Sequence, residues 1–165
     1  MMISDWFELH FTENPGMAFG LTFGGKWGKI ILTLFRIIAS GVIIFYIREL
    51  IREKSSTLMI ILVSLILAGA VGNIVDSLFY GQLFGASSYH TVAQFMPENG
   101  GYAPLFMGKV VDMFYFPIID TFWPEWVPYF GGSRLQFFRP VFNVADAAIS
   151  IGVFTIIIFR KRLLV

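Results

Sequence analysis

The sequence has no cysteine, which excludes disulfides, thiolate catalysis and Cys-ligated metal centres. It has only two histidines, His10 and His90, in no metal-ligand spacing. Charged residues make up 14% of its 165 positions, about half the share of a soluble domain. A net charge of +1 offers no electrostatic case for nucleic acid. Met1 to Asp5 shows neither a basic n-region nor an apolar h-region of a secretory signal. There is no internal repeat and no low-complexity tract.

What remains is apolar. Hydrophobic residues make up 56% of the chain and the mean hydropathy is +0.72. Too little polar surface is left to cover a water-soluble globule, so the natural solvent is lipid, provided the apolar residues come in spanning lengths. They do. Thr57 to Val75 is 19 residues without a charge, Ile30 to Ile47 is 18 with Arg36 alone, and Val141 to Phe159 is 19 with Asp146 alone. These runs predict three membrane helices over residues 27–47, 56–79 and 143–159, within one membrane domain spanning 1–165.

Residues 1–25 read differently. Phe7, Leu9 and Phe11 alternate with Glu8, His10 and Thr12, a strand pattern, and Asn14-Pro15-Gly16 follows as a turn. The segment 80–140 holds eight glycines or prolines between Gly81 and Pro117, and many aromatics. Arg48, Arg52 and Lys54 in the short connection, and Arg160-Lys161-Arg162 in the tail 160–165, mark the cytoplasmic side. The strand and the 80–140 segment then lie outside. An outside start with no preceding span leads us to expect a further helix ahead of residue 1.

This topology brings carboxylates to one layer. From Thr57 to Asp76 is 20 residues, about 30 Å of helix, so Asp76 reaches the outer boundary. Ala147 to Phe159 is only 13 residues, about 20 Å, so the last helix must carry Asp146 into the outer membrane edge. Asp112, in the apolar stretch Val110-Val111-Asp112-Met113-Phe114, is free to fold onto the same layer. Acids at membrane depth are costly and are functional candidates. Two close carboxylates share a proton, so one can activate water while the other polarises a carbonyl. Topology alone pairs Asp76 with Asp146. The plain alternative is that both acids merely end helices in the wet interface.

The motifs narrow these choices. Asn14-Pro15-Gly16-Met17-Ala18-Phe19, Gly72-Asn73-Ile74-Val75-Asp76, Val110-Val111-Asp112-Met113 and Phe142-Asn143-Val144-Ala145-Asp146, followed by Ile149 and Gly152, resemble in order the signature blocks of the lipoprotein signal peptidases, or signal peptidase II. The resemblance covers most of the chain. It implies an all-α membrane bundle, four helices in the family and three here, with a small extracytoplasmic β-cradle. It implies cleavage of signal peptides from prolipoproteins before a diacylglyceryl-modified cysteine, without metal or organic cofactor. The enzyme would be a monomer of the bacterial inner membrane, in contact with membrane lipids, with its site on the extracytoplasmic side. It makes Asp112 and Asp146 the catalytic dyad, with Asp76 a supporting acid, and gives Asn14, Asn73 and Asn143 roles in orienting substrate or dyad. Asn14 also suits a turn and Asn143 a helix cap on local grounds.

Three departures stand out. The family's first helix, which carries an Asp and a Lys, has no counterpart here. Ser77 follows Asp76 where the family usually has Arg, and Arg36 is the candidate substitute cation. The stretch between Asp112 and Asn143 is long and aromatic (Phe114, Tyr115, Phe116, Phe122, Trp123, Trp126, Tyr129, Phe130), suited to interfacial anchoring or to a lid.

Other functions fit the sequence less well. Gly20-Leu21-Thr22-Phe23-Gly24-Gly25-Lys26 approaches a phosphate-binding loop, but Trp27 supplies no hydroxyl for magnesium and a span follows. A transport or channel subunit would use the acids as a proton or cation relay. It needs polar groups across the bilayer, and the second and third helices offer only Ser64, Ser150 and Thr155 between their ends. A non-catalytic membrane scaffold is the third alternative.

Overall fold

The computed structural model describes residues 2–4, 6–16, 25–88 and 90–163. It divides into two compact units, one of Met1–Thr12 with Val111–Asn143 and one of Glu13–Val110 with Val144–Val165.

The first unit is built on short strands. β1 (Met2–Ser4), β2 (Phe7–Asn14) and β3 (Val110–Tyr115) form one sheet in that order. β1 runs antiparallel to β2, pairing Met2 with Glu8 and Ser4 with Phe7. Phe7 of β2 joins a ring cluster with residues flanking the strands: Phe7 stacks on Phe116, Phe116 on Phe142, and Trp6 on Phe116. β4 (Ile119–Phe122) and β5 (Arg134–Phe137) make a separate antiparallel hairpin. Every residue of β4 is exposed, and so are Trp126, Tyr129 and Phe130 in the connection.

The second unit is helical. α1 (Gly25–Arg52) runs past the end of its apolar stretch, its last turn tied by the Arg52–Glu49 ion pair. Ser56 caps α2 (Thr57–Val75), its hydroxyl accepting the Met59 N–H at 3.2 Å. A π-helical turn (Asp76–Tyr80) and α3 (Gly81–Leu83) continue its axis. α4 (Val144–Leu163) packs on α2.

Burial in these helices is inverted relative to a soluble protein. On α1 the outward positions Ile31, Phe35, Ile38, Val42 and Phe45 are all exposed, following the 3–4 residue spacing of one face. Thr33 and Ser40 face inward and are buried. Buried polar residues behind an exposed apolar face fit lipid as the surrounding solvent. Two helical stretches, Gly25–Arg52 and Thr57–Leu83, are long and apolar enough to cross a membrane. In α4, Asp146 and Arg160-Lys161-Arg162 bound an uncharged run of only 13 residues, Ala147 to Phe159, shorter than a span. The core cluster of Leu50, Met59, Leu62, Val63 and Leu163 joins the end of α1, the start of α2 and the end of α4.

Candidate active site

Glycines set how closely α2 and α4 approach. A Cβ at Gly69 would collide with the Ala145 carbonyl oxygen, and one at Gly72 would lie 3.4 Å from the Ala145 Cβ. On the facing helix, a Cβ at Gly152 would lie 2.6 Å from Ile66 Cγ1 and 2.9 Å from the Leu62 oxygen. Small residues at such a crossing let backbones nearly touch. A side chain as short as asparagine then reaches across. Asn73, one turn beyond Gly69 and buried, donates its Nδ2–H to Asp146 Oδ1 at 2.9 Å. Asp146 is half-buried in the first turn of α4.

Asp112 is the third residue of β3 and is buried. The backbone beyond it pairs with the strand-like residue Phe142: the Phe114 N–H donates to the Phe142 oxygen at 2.8 Å, and the Phe142 N–H to the Phe114 oxygen at 3.0 Å. This pairing brings the next residue, Asn143, beside Asp112. Asn143 Nδ2–H donates to Asp112 Oδ1 at 2.9 Å, with both side chains buried. Each of the two aspartates is therefore held by the amide of an asparagine from a different sequence block. Asp112 belongs to the first unit and Asp146 to the second.

Asp76, half-buried, opens the π-helical turn. The widening has a local cause. Ser77 is buried and its hydroxyl donates to the Asn73 oxygen at 2.8 Å, competing for the carbonyl that the helix would use. π-turns inside helices recur at functional positions. The Gly108 N–H donates to the Ser77 oxygen at 3.0 Å, and a Cβ at Gly108 would strike the Asp76 carbonyl oxygen. The loop that leads into β3 is thus seated on this turn.

Asn14 ends β2, and its Oδ1 accepts the Gly16 N–H at 2.9 Å. Gly16 is buried with φ +96°, a conformation that favours glycine. Met17, Ala18 and Phe19 of the same block, and residues 20–24 of the phosphate-loop-like stretch, lie outside the described residues. Arg36 Nη2 donates to the Gly16 oxygen at 2.6 Å.

Sequence reasoning missed a polar cluster next to Asn14. Lys109 Nζ pairs with Glu13 Oε2 at 2.5 Å and lies 5.3 Å from the centre of the Tyr102 ring. The Lys109 N–H donates to the Tyr102 hydroxyl at 2.7 Å. Burial pushes the Tyr102 phenol up to about 12, so it stays protonated and polar without charge. The isolated charges Glu13 and Lys109 stand 96 positions apart, so only the fold joins them. Gly69 was also missed, although its place one turn before Asn73 on a glycine-bearing helix face was a readable signal. Among the described residues, no three His, Asp or Glu side chains gather as a metal set.

Comparison with known proteins gives the family. The family model for signal peptidase (SPase) II matches residues 1–161. The lipoprotein signal peptidase of Porphyromonas gingivalis is 48% identical over 162 residues, which is 98% of this chain and 70% of that protein. The lipoprotein signal peptidase of Amoebophilus asiaticus is 41% identical over 98% of this chain and 64% of its own length. A bacterial membrane enzyme solved by the in meso method at 2.3 Å shares the fold, with a TM-score of 0.54 and 23% identity, over 98% of this chain and 70% of that one. With a match over nearly its whole length, this chain belongs to the signal peptidase II family of membrane proteases.

Proposed function

We propose that this protein is an aspartyl endopeptidase that removes the signal peptide from diacylglyceryl-modified prolipoproteins, with Asp112 and Asp146 as its catalytic pair. The observation that carries this reading is the matched pair of amide-held aspartates, Asn143 on Asp112 and Asn73 on Asp146. An asparagine N–H bound to one carboxylate oxygen fixes the rotamer and the direction of the other oxygen. One aspartate, ionised, takes a proton from water as the oxygen attacks the scissile carbonyl. The other, protonated, gives its proton to the carbonyl oxygen. As the diol collapses, one hydroxyl returns its proton to the aspartate that had given one up, the C=O re-forms and the C–N bond breaks, and the leaving nitrogen takes up the proton that the other aspartate received from water. No metal or organic cofactor enters this scheme.

Asp76, Asn14 and the Asn14–Gly16 turn serve as supporting and substrate-binding groups in this reading. α4 is its third membrane-crossing helix, its 13 uncharged residues after Asp146 drawing that acid into the outer membrane edge. The basic residues Arg48, Arg52, Lys54, Arg160, Lys161 and Arg162 then face the cytoplasm of a bacterial inner membrane, and the site opens to the opposite side. The exposed aromatics Phe122, Trp126, Tyr129 and Phe130 suit the lipid–water interface. The working unit is a monomer in contact with lipid and prolipoprotein.

The test is cleavage of a diacylglyceryl-modified prolipoprotein by the wild type, Asp112→Asn and Asp146→Asn. Each substitution is expected to lower kcat on the order of 10²–10⁴-fold, the share of a general acid or base. Full activity in both variants would overturn the assignment.

A further inference from the structure

The inward face of α1 is polar at one end. Lys29, Thr33, Arg36 and Ser40 follow the 4–3–4 spacing of a single helix face, and Ile43, Ile47 and Leu50 continue it as an apolar seam. Two residues of this stripe reach outward from the helix to carbonyls of connecting loops. Lys29 Nζ donates to the Met107 oxygen at 3.0 Å, and Arg36 Nη2 to the Gly16 oxygen at 2.6 Å. Arg36 lies eleven residues into α1, about 16 Å along its axis, where a cation is expensive to keep.

The Arg36 contact closes a turn that is held from both ends. The Asn14 side chain takes the Gly16 N–H, and the Arg36 guanidinium takes the Gly16 carbonyl. The fit is close. A Cβ on Gly16 would lie 3.3 Å from Arg36 Nη1 and 4.0 Å from Ser77 Oγ, so the guanidinium, the turn and the residue after Asp76 share one layer. From this geometry we infer that Arg36 is a positioning residue: it holds the Asn14-Pro15-Gly16 turn in its substrate-receiving shape from within the membrane helix. The inference rests on the proposed protease reading for the word substrate, and on the hydrogen bonds alone for the clamp.

Its effect should fall on binding more than on chemistry, because Arg36 acts through the turn. Arg36→Met keeps the unbranched apolar stem and removes the donors, and Arg36→Lys keeps the charge with a single reach. Steady-state cleavage of the prolipoprotein should show KM raised about tenfold in Arg36→Met with kcat within about twofold, and partial recovery in Arg36→Lys, as loss of one charge-assisted hydrogen bond predicts. Amide exchange in the full-length variants supplies a readout independent of activity. The amides of Glu13, Asn14 and Gly16 should exchange about tenfold faster in Arg36→Met while residues 57–75 keep wild-type rates. Wild-type KM together with unchanged exchange at these amides would overturn the inference. So would faster exchange throughout α1 and α2, which would make Arg36 a general structural residue. If Asp112→Asn and Asp146→Asn cleave normally, the protease reading fails while the exchange result still judges the clamp.

Discussion

Asn143 donates its side-chain amide to Asp112 Oδ1 at 2.9 Å, and both residues are buried. The same arrangement recurs between Asn73 and Asp146 at the same distance. In each pair a neutral amide donor holds one carboxylate oxygen of the acid. An amide bound to one carboxylate oxygen fixes the rotamer of the acid and the direction of its other oxygen.

Removing either amide should therefore disorder an acid without removing it. Asn143→Ala and Asn73→Ala are each expected to lower kcat about 10-fold to 100-fold, less than the aspartate substitutions, in the prolipoprotein cleavage assay. Activity equal to wild type in both would show that the amides do not set the geometry of the acids.

The α2–α4 crossing depends on glycine. Gly69→Leu places a side chain where the Ala145 carbonyl stands, and Gly152→Val one where Ile66 and the Leu62 carbonyl stand. Each should destabilise the protein by at least roughly 1–3 kcal/mol, measured as a lowered thermal midpoint in detergent. Gly41, with open space around it, gives the control: Gly41→Ala should be neutral or slightly stabilising.

Glu13 is largely buried, its side chain 12% exposed, and it pairs with Lys109. Lys109→Met leaves that carboxylate in a poorly solvated place and is expected to cost about 1–3 kcal/mol, half-exposure of the lysine keeping it below a fully buried pair. The double variant Lys109→Met with Glu13→Gln should recover part of the loss, and a thermal-midpoint comparison of the three proteins decides it.

The β4–β5 hairpin carries its own pH dependence. Hydrogen bonds from Arg134 and then Gln136 hold the exposed Asp120 carboxyl below its ordinary value of 3.8. A depressed carboxyl stabilises the fold above its unfolded-state pKa, and that contribution is lost as pH falls through the lower folded-state value. Amide exchange in residues 119–137 should quicken only below about pH 3.8, and Asp120→Asn should abolish that acid step. Equal pH profiles for both proteins would remove the pair from consideration.

Composition and spacing already determined much. Apolar runs of 18 or 19 residues demand a lipid solvent, and the motif blocks offer Asp112, Asp146, Asn73 and Asn143 as candidates, because both signals live in residues adjacent along the chain. Alternation of Phe7, Leu9 and Phe11 was likewise a local strand signal. Which groups meet was another matter. That Asn73 reaches Asp146 depends on a helix crossing made close by Gly69, and that Asn143 reaches Asp112 depends on a backbone pairing between residues 114 and 142. The Arg36 clamp on Gly16 and the Lys109–Glu13 pair join positions 20 and 96 residues apart. Periodicity reports which face a residue occupies and says nothing of the neighbour across it; only tertiary packing supplies that neighbour, through hydrogen bonds that form when two distant segments come within about 3 Å.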